Sequence, residues 1–477
     1  MDARLAGVRM TASCFPANLG IPEIHAPNGG STPGRRPVFG QTVLENGIRV
    51  VTETMEGVRS VAVGVIVDCG PKDETPEEVG LAHLCEHLLF QGTSGRDANE
   101  IARQIDGFGH AGGYTTHDYT CYYSVTLDDY QYHALDLLGD VLLNSTFPIQ
   151  YLQHEKQAIL SEIERRGDVP ELYIHDVAMR QAWRGTTLGR TIAGAAEAVT
   201  RHTREDAIYF LQRHYTPDKI VIAAAGHLDH EDFVAQARDA FWRLMGHRDT
   251  SAPELPAFHS GVTVEQMDTT QAYFCLLIPA PPYVHPDRYV AHVLNRILGG
   301  GISSRLSREL RGQTGLVYDI QSEYRAYQNA GMITVEGSSS AASLPRVVRI
   351  VLGTIAGLVS GRSPVETEEL WRSKTQIRVQ HLTSSEDTYT RMCRLATQEL
   401  YLGRCQDAGE VLARIEAVDL NEITRFIQSY LADFLQAHLV VGGRLPEESD
   451  IRAQLTDSIH EFTRDQGPQR HDRERSN

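Results

Sequence analysis

The chain has 477 residues, 41% of them apolar and 22% charged, with a formal net charge of −17. That length exceeds one ordinary core and fits two domains of roughly 200 residues each, and the composition is that of a globular protein rather than a fibre. An acidic balance is the wrong sign for a nucleic-acid surface, no apolar run is long enough to span a membrane, and the charge suits either solubility or a basic peptide substrate.

Residues 1–37 hold Pro, Gly, Asn and Ser without a period and read as a disordered arm. They contain no continuous apolar core of the kind a secretory signal needs. Arg4, Arg9 and Ser13 leave a mitochondrial transit peptide open, although Asp2 speaks against it. The seven cysteines (Cys14, Cys69, Cys85, Cys121, Cys275, Cys393 and Cys405) are odd in number and widely spaced, with no CxxC pair. Neither a disulfide framework nor a Cys-ligated zinc is expected, and a reducing compartment is the default.

A first domain is expected over residues 38–247. It opens with strand-like runs at 47–52 and 61–67. Thr75-Pro76-Glu77-Glu78 then offers a cap, a proline for the first helical position and a capping-box acid, so a helix is expected from Thr75 to about Gly92. His83-Leu84-Cys85-Glu86-His87 lies on that helix. His83, Glu86 and His87 stand on one stripe, and Leu81, Leu84, Leu88 and Leu89 form the apolar side. Two imidazoles one turn apart can share a metal ion, and a carboxylate between them can take a proton from water activated there. The plainer alternative is a surface helix with two solvated histidines.

A catalytic zinc needs a third protein ligand. The helical run at 153–164 supplies Glu155 and Glu162, seven apart on one face. One can ligate while the other fixes a ligating histidine from behind. An apolar strand ending in glycine, 220–226, closes the domain, and 248–260 reads as a linker. His227 and His230, just past that strand, read as solvated.

The second domain, residues 261–455, repeats the plan. A strand-like run at 272–278 precedes a helical stretch from about Asp287, an apolar strand at 439–443 closes it, and a charged tail (456–477) follows. Ala82-His83-Leu84-Cys85-Glu86-His87 aligns with Ala291-His292-Val293-Leu294-Asn295-Arg296 at an offset of 209 residues, and Gly226 aligns with Gly443 at 217. A near-constant offset indicates tandem duplication. Asn295 and Arg296 replace Glu86 and His87, so the second copy is expected to hold no metal.

With these residues in place, the chain resembles the pitrilysin, insulysin and mitochondrial-processing-peptidase family, above all its smaller bacterial and organellar members. The resemblance runs from about Arg36 to Leu455. It rests on the blocks at 44–51 and 80–93, Tyr114-Thr115-Thr116, Tyr122-Tyr123 and the helix holding Glu162. It implies an α+β fold: two tandem homologous α/β domains, each a mostly antiparallel sheet packed with helices, forming half of a clamshell chamber. It implies His83, His87 and Glu162 as ligands of one Zn2+ per chain, with Glu86 as general base and Glu155 behind the ligands. Arg311 and Tyr318, seven apart after Gly299-Gly300-Gly301, match the pair that holds the substrate carbonyl and stabilises the oxyanion. Taken alone, that stretch reads as a glycine turn, an amphipathic helix and a sheet tyrosine.

Gly112, Gly113, Tyr114 and Thr115 match the family's substrate-pairing strand, with Gly112-Gly113 in place of the usual Asn-Ala. Backbone pairing survives that change, the Asn contact does not, and two glycines loosen a strand. Pro71-Lys72 likewise replaces a usual Ser-Arg. The implied activity is a zinc metalloendopeptidase that cleaves short or unfolded peptides inside a chamber. The large members hold four such domains, so the implied assembly here is a homodimer, or a heterodimer with a homologous subunit. The rivals are a catalytically silent scaffold and a partner that only presents substrate. The expected location is a bacterial cytoplasm, with an organellar matrix as the alternative.

Overall fold

The computed structural model describes residues 38–246, 255–432, 437–446 and 451–457. The expected arm at 1–37, residues 248–254 of the expected linker and the tail beyond 457 lie outside the described residues. The described strands form two sheets. The first contains β1 (Val38–Val43), β2 (Arg49–Thr54), β3 (Ser60–Val67), β4 (Gly109–Thr115), β5 (Thr120–Leu127) and β6 (Ile220–Gly226), in the order β1-β2-β6-β3-β5-β4. The second contains β7 (Gly261–Gln266), β8 (Ala272–Ala280), β9 (Val317–Ala326), β10 (Gly331–Ser339) and β11 (His438–Gly443), in the order β7-β11-β8-β10-β9.

Apart from β1, the two sheets share one plan. In each, the closing strand pairs in parallel with the first strand of its half and antiparallel with the second (β2-β6-β3 and β7-β11-β8). All other pairings are antiparallel. The duplication read from Gly226 and Gly443 is therefore visible as a repeated strand order.

The central strands are apolar on both faces because both faces are covered. Along β3, Val61, Val63, Val65 and Val67 pack with the helices of their own half, including Leu81–Leu89. Ala62 and Ile66, on the opposite face, pack against Met392, Leu395 and Ala396 of the helix Thr388–Leu402 from the second half. Gly64 has no side chain because the Met392 Sδ occupies that space: a Cβ there would lie 2.3 Å from it. The exchange is mutual. Phe274, Leu276 and Ile278 of β8 face their own core, while Cys275 and Leu277 meet Ile174, Val177 and Ala178 of the first-half helix Pro170–Ala182. Period-two alternation thus sorts each central strand between two helical layers.

The motif helix starts later than its sequence signals suggest. Thr75 and Glu78 do form half of a capping box, the Thr75 N–H donating to Glu78 Oε2 at 3.0 Å, but within a turn. The helix spans Leu81–Leu89, because Gly80 adopts φ 87° and interrupts the helical path. Its first orphan amides are met from outside: Gly80 N–H and Ala82 N–H donate to the two oxygens of the buried Glu74, both at 2.9 Å. No helix among the described residues is long and apolar enough to cross a membrane.

Candidate metal centre

Two helices carry the centre. Leu81, Leu84, Leu88 and Leu89 anchor Leu81–Leu89 in the first core, which turns His83, Glu86 and His87 the other way. The helix Ile149–Asp168 is fixed by buried Leu152 and Ile159 and presents Glu155 and Glu162 to the motif. The loop leaving the first helix is tied to the loop entering the second: Thr93 bridges Ser145, and Thr146 N–H donates to Gly92 O at 3.0 Å. At that joint Phe147 is buried with φ 46°, strained for a bulky residue and the more so before Pro148. The strain sits in the loop that enters the second of the two helices.

The structure brings His83, His87 and Glu162 together, with one donor atom from each lying within 4.8 Å of the others. His83 Nε2 stands 3.7 Å from Glu162 Oε2 and 3.9 Å from Glu86 Oε2, too far for hydrogen bonds. Two atoms each about 2.0–2.1 Å from one tetrahedral ion lie roughly 3.3–3.4 Å apart, so this spacing fits ligands around zinc. His87 Nδ1 donates to Glu155 Oε2 at 2.9 Å, which leaves Nε2 for a metal, and the other Glu155 oxygen accepts from Gln91 Nε2 at 2.8 Å. A carboxylate behind a ligating imidazole fixes both its tautomer and its ring angle.

The electrostatics agree with this donor set. Burial, with neighbouring His87, lowers the His83 pKa to about 3, so the ring is neutral and has a lone pair to give. Burial opposes charge on His87 too, but the Glu155 bond and the surrounding carboxylates outweigh it and raise its pKa. Burial also raises the Glu86 pKa against the opposing pulls of His87 and a hydrogen bond from Thr115, which makes the carboxylate a better proton acceptor.

The glycine strand lies beside the general-base candidate. A Cβ on Gly113 would stand 3.0 Å from Glu86 Cγ, and one on Gly112 would touch the Tyr123 ring. The strand runs unbroken from Gly109 to Thr115 despite its glycines, paired to β5 throughout. Tyr114 turns its hydroxyl away from the motif helix, toward the Cys393 sulfur of the second half. Lys72, where the family has Arg, pairs with Asp68 and donates to Gln328 Oε1 at 3.0 Å, tying the loop before the motif helix to the second half.

Arg311 and Tyr318 are not joined to this cluster by any hydrogen bond or ion pair among the described residues. Arg311 is exposed on the π-helical segment Ser307–Gln313, and Tyr318 is 84% exposed on β9. In the degenerate copy, Asn295 Nδ2 donates to Ser322 O and Arg296 Nη1 to Gly300 O, while His292 packs edge-on against Tyr324. None of them belongs to a group of metal donors among the described residues.

Sequence reasoning missed three contributors: Gln91, the Thr115–Glu86 bond and the Glu74 cap. Gln91 repeats the 83–87 spacing once more, a signal that was available, whereas Glu74 acts through a loop whose return no periodicity encodes. His230 is also not solvated: it lies between the hydroxyls of Thr42 and Thr52 at 2.9 and 2.8 Å, over Gly40. A second group, His175, Cys275 and Glu336, has metal-like spacing. There Arg325 Nη1 donates to His175 Nε2, so Nδ1 carries the ring hydrogen and gives it to Glu336, and the imidazole is fully engaged.

Comparison with known proteins fits this picture. Residues 49–196 match the family model described as insulinase (peptidase family M16), and residues 201–377 match that of the peptidase M16 inactive domain. A Bacillus subtilis protein named as an uncharacterized zinc protease, YmxG, is 32% identical over 404 residues, covering 84% of this chain and 98% of the relative. The chain belongs to the insulinase family, peptidase family M16. A Mycobacterium leprae protein named in the same way is 32% identical over 400 residues, covering 82% and 89% of the two chains. Among solved structures, a peptidase M16 inactive domain from Pseudomonas fluorescens superposes with TM-score 0.80 at 19% identity, covering 86% of this chain and 98% of that one. A protease from Helicobacter pylori gives 0.78 at 20% identity, with 85% and 99% covered. Both share this fold. The first family match spans His83, Glu86, His87 and Glu162, and the second spans Arg311 and Tyr318.

Proposed function

We propose that this chain is a zinc metalloendopeptidase in which His83, His87 and Glu162 hold one Zn2+. The observation that carries the reading is the convergence of three donor atoms beside a half-buried carboxylate, with a second carboxylate locking one imidazole. Zinc, when bound, supplies a Lewis acid for the scissile carbonyl and for the attacking water. Glu86 accepts the proton of that water and returns it to the leaving amine. The open edge of β4 receives an extended peptide backbone.

Arg311 and Tyr318 are exposed and, among the described residues, make no side-chain hydrogen bond or ion pair, which supports their use at the centre of a second chain, where a cation and a phenol donor would stabilise the developing oxyanion. A homodimer then completes two sites, and a heterodimer with a homologous subunit completes one. The enclosed space admits short or unfolded peptides. A silent scaffold is the rival reading, and the matches to an inactive-domain model and structure are its support. The intact donor set stands against it. Elemental analysis with a cleavage screen on unfolded peptides separates the two: one zinc per chain and cleavage abolished by a chelator are expected, and a metal-free or metal-loaded but inert chain would refute the reading.

A further inference from the structure

The hydroxyl of Thr115, the last residue of β4, donates to Glu86 Oε2 at 3.1 Å. Among the described residues, no other side chain hydrogen-bonds the Glu86 carboxylate. On its other flank Glu86 faces Gly113, which offers no Cβ wall where one would stand 3.0 Å from Glu86 Cγ and 3.2 Å from Oε1. Glu86 therefore packs closely over the glycine, a contact that carries no direction for the carboxylate, and the Thr115 hydroxyl is the polar contact that orients it.

Thr115 itself is held firmly. The hairpin tip beyond it is closed by Thr116 Oγ1 donating to Tyr119 O at 2.9 Å. Asp118 is buried and accepts from Gln328 N–H at 2.9 Å and from the Tyr401 hydroxyl at 2.6 Å, both in the second half. His117 Nε2 donates to Arg190 O at 3.0 Å. The looseness of Gly112-Gly113 thus ends at a fixed corner.

Position on the strand adds a second property. Thr116 N–H donates to Tyr119 O, which makes 116 and 119 a hydrogen-bonded pair. By antiparallel alternation, Thr115 and Gly113 turn their own backbone groups to the opposite edge, and β4 is the last strand of its sheet. That edge is where an extended chain would pair.

We propose that Thr115 is a positioning residue for Glu86, so that the strand receiving the peptide also holds the general base in place. The proposal rests on the peptidase reading and assigns part of its machinery. Its consequence is that a peptide pairing beside Thr115 is placed relative to Glu86 by one residue's backbone and side chain, an economical route to a near-attack arrangement.

Two variants test it. Thr115→Val keeps the β-branched shape without the hydroxyl, and Thr115→Ser keeps the hydroxyl. Loss of a hydrogen bond to a catalytic carboxylate is expected to lower kcat of Thr115→Val about 10- to 100-fold, with KM and zinc affinity within about twofold of wild type. Thr115→Ser is expected to stay within about threefold. A wild-type kcat for Thr115→Val, a change confined to KM, loss of zinc, or a Ser variant as impaired as the Val variant would each overturn the proposal. Crystal structures supply a readout independent of turnover: in zinc-loaded Thr115→Val the Glu86 carboxylate is expected to leave its wild-type position. An unmoved carboxylate defeats the inference whether or not any peptide is cleaved. Failure of zinc-loaded wild-type protein to cleave would instead defeat the peptidase reading.

Discussion

Replacing Glu155 by alanine isolates the part of the centre that never touches the metal. Glu155 accepts from His87 Nδ1 at 2.9 Å and from Gln91 Nε2 at 2.8 Å, and its side chain is 18% exposed, so solvent screens it only in part. Glu155→Ala removes the charge that raises the basicity of His87 and the bond that aims its Nε2. A hydrogen bond to a charged group contributes about 1.5–3 kcal/mol, which is roughly 10- to 100-fold in a dissociation constant. The range for removing an acid behind a metal ligand is the same. The zinc Kd, measured by competition with a chromophoric chelator at fixed pH, should therefore rise by about that factor while the circular dichroism stays that of the wild type. Glu155→Gln keeps an acceptor for His87, and Gln91 can turn its amide to match, so a loss of about tenfold or less is expected. A Glu155→Ala variant whose zinc Kd stays within twofold of wild type would refute the assignment of His87 Nε2 as a ligand oriented by Glu155.

Two further outcomes follow from the geometry. Burial raises the Glu74 pKa to about 7 against its two amide bonds, so the folded chain takes up a proton between the ordinary carboxylate range and neutrality. The sign is that stability contributed by this group is full below about pH 4.5 and lost as pH rises through 7. A rise from 4.5 to about 7 corresponds to at most about 3.4 kcal/mol. Urea midpoints of Glu74→Gln and wild type should diverge in the variant's favour from pH 5 to pH 8, and a constant difference across that range would contradict the assignment. Separately, Glu86→Gln and Arg311→Ala chains, each inactive alone, should recover activity on mixing if the arginine serves a partner's zinc. Inactive mixtures of chains that demonstrably exchange subunits would sink the in-trans arrangement.

Much of this was legible in the sequence, for reasons particular residues make clear. His83, Glu86 and His87 share one turn of helix, so a period of 3.6 places them without tertiary information. Glu155 and Glu162 share a face for the same reason, although only the family resemblance indicated which acid ligates. The duplication was visible because Gly226 and Gly443 end equivalent strands, and both sheets repeat one order around them. Contacts made across the fold were not legible. Gly80 could have continued the helix promised by Thr75 and Glu78, but it is left-handed, with its amide held by Glu74 from six residues back. Nothing local announces that Asp118 is buried against Gln328 and Tyr401, or that Gly64 is small for the sake of Met392. Arg311 and Tyr318 were found only by resemblance, because nothing in their local pattern separates them from an exposed helix residue and a sheet tyrosine.

In the proposed mechanism Glu86 moves the proton at a zinc held by His83, His87 and Glu162. The direct test is cleavage of an unfolded peptide by wild-type and Glu86→Gln protein, with zinc per chain measured on the same samples. Both proteins should carry one zinc per chain; the wild type should cleave, and Glu86→Gln should be slower by at least about 100-fold. A zinc-loaded Glu86→Gln protein that cleaves at the wild-type rate would contradict the account.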